Sequence, residues 1–202
     1  SRPIRHMFEE AIYILNGRGS TTIWYDGMGK QSFEWQEGSL FSPPLNSWHQ
    51  HFNGSGDTPV RYLAVTTAPL CVNLYHSKDF IYENPFIFRD RYLPDKDYFS
   101  EKGVLESIQF PDSKNSSQKG RSWWIWKTNF IANVRQFNQL KENTLMYAPG
   151  AARSMWFDLS ENTMAGHIAE QRAGFVTGHS SPSRTRSAWP WLAPPSPMRL
   201  CP

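Results

Sequence analysis

Four residues near the start of the sequence have the side chains and the spacing of a metal site. His6 and Glu10 are four residues apart, and His49 and His51 are two apart. Alternate residues of a β-strand point to the same face, so each pair can face one side of a sheet, with Phe8 between His6 and Glu10. Two or three imidazoles with one carboxylate and open positions form the ligand field of a non-haem Fe(II) or Mn(II) centre. For any single histidine, the alternative is a structural hydrogen bond.

Short strands separated by turns would position these side chains. Six segments have strand-like sequence, at residues 11–15, 20–25, 31–35, 38–41, 48–52 and 60–66. The turn at residues 26–29 contains two glycines, which adopt positive φ without steric cost. The Pro43-Pro44 pair ends the fourth strand. Six short strands at this spacing predict a sandwich or a barrel.

Beyond residue 70 the succession of short strand-like segments stops, and it resumes later in the chain. Aromatic and charged residues are interleaved without a strand period up to residue 128, which predicts an ordered linker that wraps a domain. Residues 112–121 are polar and predict a loop. Residues 153–168 predict a strand, a turn at Glu161 and Asn162, and a second strand.

The C-terminal part differs in composition from the rest of the chain. Residues 171–202 contain no Asp, Glu or Lys and are rich in Pro, Ser and Arg. One interpretation is a disordered tail. The other is translation out of frame after Glu170, because disordered tails usually carry acidic residues or Lys and rarely several Trp. The absence of an initial Met also favours a fragment or a trimmed chain.

The overall composition excludes some classes of partner. Lys and Arg number 21 against 18 Asp and Glu, and a net charge of +3 gives no electrostatic field that would attract nucleic acid. No run approaches the roughly 20 apolar residues that a membrane helix needs. The two cysteines, Cys71 and Cys201, are too far apart in sequence to indicate a disulfide framework, so a reduced, cytoplasmic setting is expected.

Two motifs make this sequence similar to the cupin superfamily. The family's first motif is His, three residues, Glu, six residues, Gly, and the matching residues are His6, Glu10 and Gly17. The second is Gly, five residues, Pro, one residue, Gly, two residues, His, three residues, Asn, and the corresponding residues are Gly38, Pro44, Asn46, His49 and Asn53. Every anchor matches except Asn46, which stands where the family has the second Gly. Asparagine tolerates the left-handed conformation, so the turn can survive.

The resemblance implies His6, Glu10 and His49 as metal ligands, but one ligand of the family's set is missing. The first motif normally begins His-x-His, and its first His falls at Ile4. His51 lies on the same strand face as His49 and could supply the missing ligand. It could equally hydrogen-bond outside the ligand set, and both alternatives stay open at this point.

The resemblance implies an all-β cupin barrel, that is, a double-stranded β-helix or jelly roll. A looser similarity extends to two-cupin proteins such as the gentisate-type ring-cleaving dioxygenases, which have a metal-bearing cupin, a long linker and a second cupin. On that plan residues 1–70 form an N-terminally incomplete cupin domain, and residues 71–128 form the linker. Residues 129–170 then begin an incomplete second cupin, and residues 171–202 form the irregular tail.

The function that the resemblance implies is that of a non-haem metal-dependent oxygenase. It would act on a small organic acid or aromatic compound, with Fe(II) as the expected metal and Mn, Ni, Cu or Zn as alternatives. A homodimer is a possible assembly, and neither nucleic acid nor membrane is expected as a partner. One alternative is a non-enzymatic cupin that binds a small ligand, and another is a truncated, inactive gene product. The carboxylate of Glu10 argues against a lumen without a cation, where it would be costly.

Overall fold

The computed structural model describes residues 1–89, 91, 97–109, 122–142 and 152–174, and most of its regular structure is β-strand, as predicted. The first six strands are β1 (Glu10–Asn16), β2 (Arg18–Trp24), β3 (Gln31–Gln36), β4 (Leu40–Phe41), β5 (Trp48–Asn53) and β6 (Arg61–Thr66). They confirm all six predicted strands, with ends that move by at most two residues. No helix within the described ranges is long and apolar enough to cross a membrane. The predicted polar loop and most of the predicted tail lie outside these ranges.

Two antiparallel sheets of the N-terminal part share one apolar core. β3, β2 and β5 form the first sheet, and the second has the order β6-β1-β4-β9, where β9 (Phe130–Ile131) comes from much later in the chain. Strand alternation places Ile12 and Ile14 of β1 in the same buried cluster as Phe33 and Trp35 of β3. The two strands that carry the predicted ligands, β1 and β5, therefore belong to different sheets around a common core.

Two short helices follow β6, in the segment predicted to be a linker. Helix α1 (Ala68–Tyr75) has no buried residue, whereas α2 (Lys78–Tyr82) buries Ile81. The carbonyl of Ile81 accepts a hydrogen bond of 2.9 Å from the N–H of Met7. Helix α2 therefore holds the segment of chain that carries His6.

The later strands form a mixed sheet with a second apolar cluster. They are β7 (Val104–Gln109), β8 (Ser122–Thr128), β10 (Lys141–Glu142), β11 (Ala152–Leu159) and β12 (Ala165–Gln171). β11 pairs with β12 along one edge, and its other edge is shared by β10 and, in parallel, by β8. The strand, turn and strand predicted at residues 153–168 are thus confirmed, and the turn contains two left-handed residues, Ser160 and Glu161, with φ of 56° and 55°. The division into domains stays a prediction.

Candidate metal centre

Three of the four predicted ligands meet in the structure. The ligand atoms of His6, Glu10 and His49 all lie within 4.8 Å of one another. Oε2 of Glu10 is 3.4 Å from Nε2 of His6 and 3.9 Å from Nε2 of His49. The two imidazole rings stand edge to face, with centroids 5.0 Å apart. These three side chains could hold a metal ion.

The N-terminal segment reaches the site by pairing with β5 before it enters β1. Ile4 and His49 exchange two backbone hydrogen bonds of 3.0 and 2.9 Å. The prediction that His6, Phe8 and Glu10 lie on one strand is wrong, because the chain bends at Met7 and Phe8 and β1 begins only at Glu10. The bend forms because this stretch bonds to helix α2 instead of a neighbouring strand. The Phe8 ring then stacks on the His6 ring at 3.7 Å.

The turn of the second motif also supports His6. Asn46 has φ of 58°, which confirms the left-handed conformation predicted for the residue that replaces glycine. Its backbone N–H donates to the carbonyl of His6 at 3.1 Å. Its side-chain Nδ2 donates to the carbonyls of Asn84 and Phe86 at 2.9 and 2.8 Å. Asn53, the last anchor of the motif, bonds instead within its own turn, to the carbonyl of Thr58 at 2.8 Å.

Hydrogen bonds at the far side of each ring fix the tautomers of the two histidines. Nδ1 of His6 lies 2.8 Å from the carbonyl oxygen of Phe8, and Nδ1 of His49 lies 3.1 Å from that of Ser47. A carbonyl oxygen only accepts, so each Nδ1 carries the hydrogen of the neutral ring. Each Nε2 therefore presents a lone pair on the side of Glu10. Metal-binding histidines are oriented in this way by a partner on the second nitrogen.

Burial controls the charge of the site. Burial, followed by repulsion from His6 and His51 in their protonated forms, lowers the pKa of His49 to about 3, so this ring is neutral near pH 7. Burial alone would raise the pKa of Glu10, but the hydrogen bond that His6 donates when it is protonated, and the positive charges of protonated histidines, lower it below its ordinary value. While His6 and His49 are neutral, their Nε2 atoms cannot donate a hydrogen bond to the Glu10 carboxylate. A bound cation would supply the missing attraction.

His51 occupies a different position from the other three residues. It lies outside the compact group of ligand atoms, although its ring centroid is only 5.5 Å from that of His49. Its Nδ1 is 2.8 Å from Oγ1 of Thr21, the residue directly opposite on β2. Its predicted role as fourth ligand stays a prediction.

Glu9 was not predicted from the sequence to be a site residue, and it is as deeply buried as His6. We name its surroundings the Glu9 clasp, formed by Glu9, Arg91, Thr163 and Met164. The carboxylate accepts from the Arg91 guanidinium at 2.9 Å, from the Thr163 hydroxyl at 2.6 Å, and from the Thr163 and Met164 N–H groups at 2.9 to 3.2 Å. The clasp joins the residue beside Glu10 to the segment between β11 and β12.

The same segment between β11 and β12 reaches Glu10 by a second route. The Ser42 hydroxyl donates to the backbone carbonyl of Glu10 at 2.6 Å. Ser160 donates to the Ser42 carbonyl at 2.7 Å, and Asn162 donates to the Ser42 hydroxyl. The later part of the chain therefore holds the first residue of β1 in place.

The site is reached by solvent past Glu10. Its side chain is 15% exposed, compared with 7% for His6 and 3% for His49. Surface pockets of about 410 to 480 Å³ lie elsewhere among the described residues, and His6, Glu10 and His49 line none of these. Neither a protein-family model nor a curated protein matches the chain. The similarity to cupins accordingly rests on the two sequence motifs.

Proposed function

We propose that the chain is a cupin-type, metal-dependent oxygenase that acts on a small organic acid or aromatic compound. One observation carries the proposal. Two buried histidines, His6 and His49, direct the lone pairs of their neutral rings towards the carboxylate of Glu10. No side chain among the described residues then donates a hydrogen bond to this carboxylate. The match to both cupin motifs, with Asn46 in the conformation that the missing glycine would adopt, supports it.

The metal that we propose is Fe(II), with Mn, Ni, Cu or Zn as alternatives. Two imidazoles and one carboxylate are the ligand set of many non-haem iron oxygenases, in which the remaining positions stay open. When bound, Fe(II) would supply a Lewis-acidic centre at which O2 and an oxygen atom of the substrate can meet.

The chain's own residues supply orientation, charge and a dry environment. The carbonyls of Phe8 and Ser47 hold the two imidazole rings in the ligating tautomer. The carboxylate of Glu10 offsets part of the charge of a divalent ion. The ring of Phe8, stacked on His6, excludes water from one side of the site.

The surroundings of His51 favour a small organic substrate. The ring centroids of the buried Phe41 and the half-exposed Tyr62 lie 6.2 and 6.0 Å from the ring centroid of His51. Phe41 is fully buried in the core, but the half-exposed ring of Tyr62 can pack against an apolar substrate while its hydroxyl bonds to a polar group on it.

A non-enzymatic cupin that binds a small ligand is the second candidate, and Ile4 favours it. Ile4 stands at the position of the family's first histidine, and its backbone pairs with that of His49. Its aliphatic side chain has no atom that can bind a metal, so one ligand of the family's set is absent. A site with three ligands could hold a metal without supporting turnover.

Oxygen consumption of the Fe(II)-loaded chain tests the proposal. We expect uptake that requires both Fe(II) and one member of a panel of small carboxylic and aromatic acids, and that is lost in His49→Ala. His76→Asn is the matched control, because His76 is an exposed histidine with φ of 48° that asparagine tolerates. Metal binding without uptake on the whole panel would favour the binding protein. Absence of both metal and uptake would contradict the proposal.

A further inference from the structure

Behind His51 a short chain of hydrogen bonds runs into the core. Nε1 of Trp35 is 2.8 Å from Oγ1 of Thr21, and the same oxygen is 2.8 Å from Nδ1 of His51. Thr21 is fully buried and Trp35 is nearly so. The three residues lie on neighbouring strands of one sheet, so the sheet itself sets their spacing.

The direction of these hydrogen bonds follows from what each group can do. The indole N–H of Trp35 can only donate, so the Thr21 oxygen accepts from it. The Thr21 hydroxyl has one hydrogen, and its only other partner among the described residues is Nδ1 of His51. If His51 donated instead, the buried hydroxyl hydrogen would have no acceptor, which is unfavourable. Nδ1 of His51 is therefore the acceptor, and the neutral ring carries its hydrogen on Nε2.

This tautomer is the opposite of that of the other two histidines. A backbone carbonyl at Nδ1 leaves a lone pair on Nε2 in His6 and in His49. In His51, the Thr21 hydroxyl accepts from Trp35 and donates to Nδ1, so the ring hydrogen is on Nε2. An Nε2 that carries a hydrogen cannot bind a metal through the same atom.

We infer that His51 is a positioning residue that donates a hydrogen bond from Nε2 to an oxygen atom of the ligand at the metal centre, and that it is not a fourth metal ligand. The inference rests on the proposed function, which supplies the metal. His51 follows His49 by two residues on β5, so both side chains lie on one face, with ring centroids 5.5 Å apart. Nε2 of His51 has no hydrogen-bond partner among the described residues, which leaves its N–H free for a bound molecule. The matching ligand class is a carboxylate or another negatively polarised oxygen.

Nitrogen NMR of the histidine rings tests the tautomer in the full chain. We expect hydrogen on Nε2 of His51 and on Nδ1 of His6 and His49, in the metal-free protein and again after loading with Zn(II). In the double variant Thr21→Val/Trp35→Phe, which removes the donor without leaving the indole unpaired, His51 should lose its single tautomer. Hydrogen on Nδ1 of His51, or loss of the Nε2 hydrogen when Zn(II) binds, would overturn the inference.

Azide binding to the Co(II)-loaded chain tests the role as donor. We expect His51→Ala to retain Co(II) at the wild-type ratio and to bind azide about ten-fold more weakly, with partial recovery in His51→Gln, which keeps a side-chain N–H. Loss of Co(II) in His51→Ala would make His51 a ligand, and unchanged azide affinity would remove its role as donor. A wild-type chain that binds no Co(II) would overturn the proposed function, and the NMR result would then identify the tautomer independently.

Discussion

Glu9 and Glu10 are neighbours in sequence and both are largely buried, but their carboxylates have very different surroundings. In the Glu9 clasp, the carboxylate accepts hydrogen bonds of 2.6 to 3.2 Å from a guanidinium, a hydroxyl and two backbone N–H groups. Among the described residues, the polar neighbours of the Glu10 carboxylate are the Nε2 atoms of His6 and His49, at 3.4 and 3.9 Å. The protein supplies the Glu9 carboxylate with donors of its own, whereas the Glu10 carboxylate lies in a group that could hold a metal ion.

Strand geometry allows adjacent residues to serve these two purposes. Glu9 directly precedes β1 and Glu10 is its first residue, and their side chains contact different parts of the molecule, as strand alternation favours. Glu9 therefore reaches the segment between β11 and β12, while Glu10 faces the histidines. Of two buried carboxylates, the one without donors is the better candidate for a metal ligand.

The largest expected effect comes from breaking the Glu9 clasp. Glu9→Gln places an amide NH2 against groups that are themselves donors and leaves Arg91 without its carboxylate partner. We expect the free energy of unfolding to fall by about 3 kcal/mol, measured by urea denaturation with tryptophan fluorescence. The folded variant should still bind metal at the wild-type ratio. A loss below about 1 kcal/mol would show that the clasp contributes little.

The same substitution at Glu10 should have the opposite effects, with little change in stability and a large loss of metal affinity. Glu10→Gln removes a carboxylate that receives no strong donor, so the unfolding free energy of the metal-free chain should change by less than about 1 kcal/mol. Metal affinity should fall by more than about 100-fold, because even partners outside the ligand set contribute 10- to 100-fold. Calorimetric titration with Zn(II) measures it. If Glu10→Gln destabilised the chain as much as Glu9→Gln, the contrast between the two residues would be wrong.

Acidification should weaken the metal-free fold through His49. The unfolded chain takes up a proton near the ordinary pKa of 6.5, but burial lowers the pKa of the folded His49 to about 3. Its contribution to stability is therefore complete above about pH 6.5 and is lost as the pH falls towards about 3. Between about pH 7.5 and about pH 5 we expect a loss on the order of 2 kcal/mol. Urea denaturation at both values measures it, and an equally steep dependence in His49→Gln would exclude His49 as its source.

A smaller effect is expected at Asp158, a carboxylate with neither the donors of Glu9 nor the histidines of Glu10. Its Oδ1 is buried without a hydrogen-bond partner in the described part of the chain. Burial, followed by the negative charge of Glu161, raises its pKa to about 6. The folded chain thus holds this proton more tightly than the unfolded chain, and stability falls as the pH rises from about 3.8 to about 6.

Replacement of Asp158 should therefore stabilise the protein. We expect Asp158→Asn to raise the free energy of unfolding by about 1 kcal/mol near neutral pH, since partial exposure screens the full effect. Urea denaturation near neutral pH and near pH 4 measures the change, and the gain should shrink at the lower value. A loss of stability at neutral pH would contradict this interpretation.

The strands and the ligand group were predictable from sequence because both depend on local patterns. Alternation of polar and apolar residues in segments such as β3 indicates a strand without reference to the rest of the chain. The spacing of His6, Glu10 and His49 matches two motifs, and Asn46 is one of the few residues that can replace glycine in a left-handed turn.

The remaining features depend on contacts between distant residues. The bend at Met7 forms because its N–H bonds to Ile81 of a helix that the sequence analysis did not predict. Glu9 finds its partner Thr163 at a separation of 154 residues, so nothing near Glu9 in sequence indicates the clasp. The tautomer of His51 depends on Thr21, which is opposite only once the strands are paired.

Elemental analysis of the purified chain tests the metal centre most directly. Wild-type protein should contain close to one equivalent of a divalent transition metal, and Glu9→Gln and His76→Asn should retain it. His49→Ala and Glu10→Gln should lose it while they stay folded. A wild-type chain that takes up no metal under any loading condition, or a folded His49→Ala chain that keeps its metal, would contradict the assignment of His6, Glu10 and His49 as ligands.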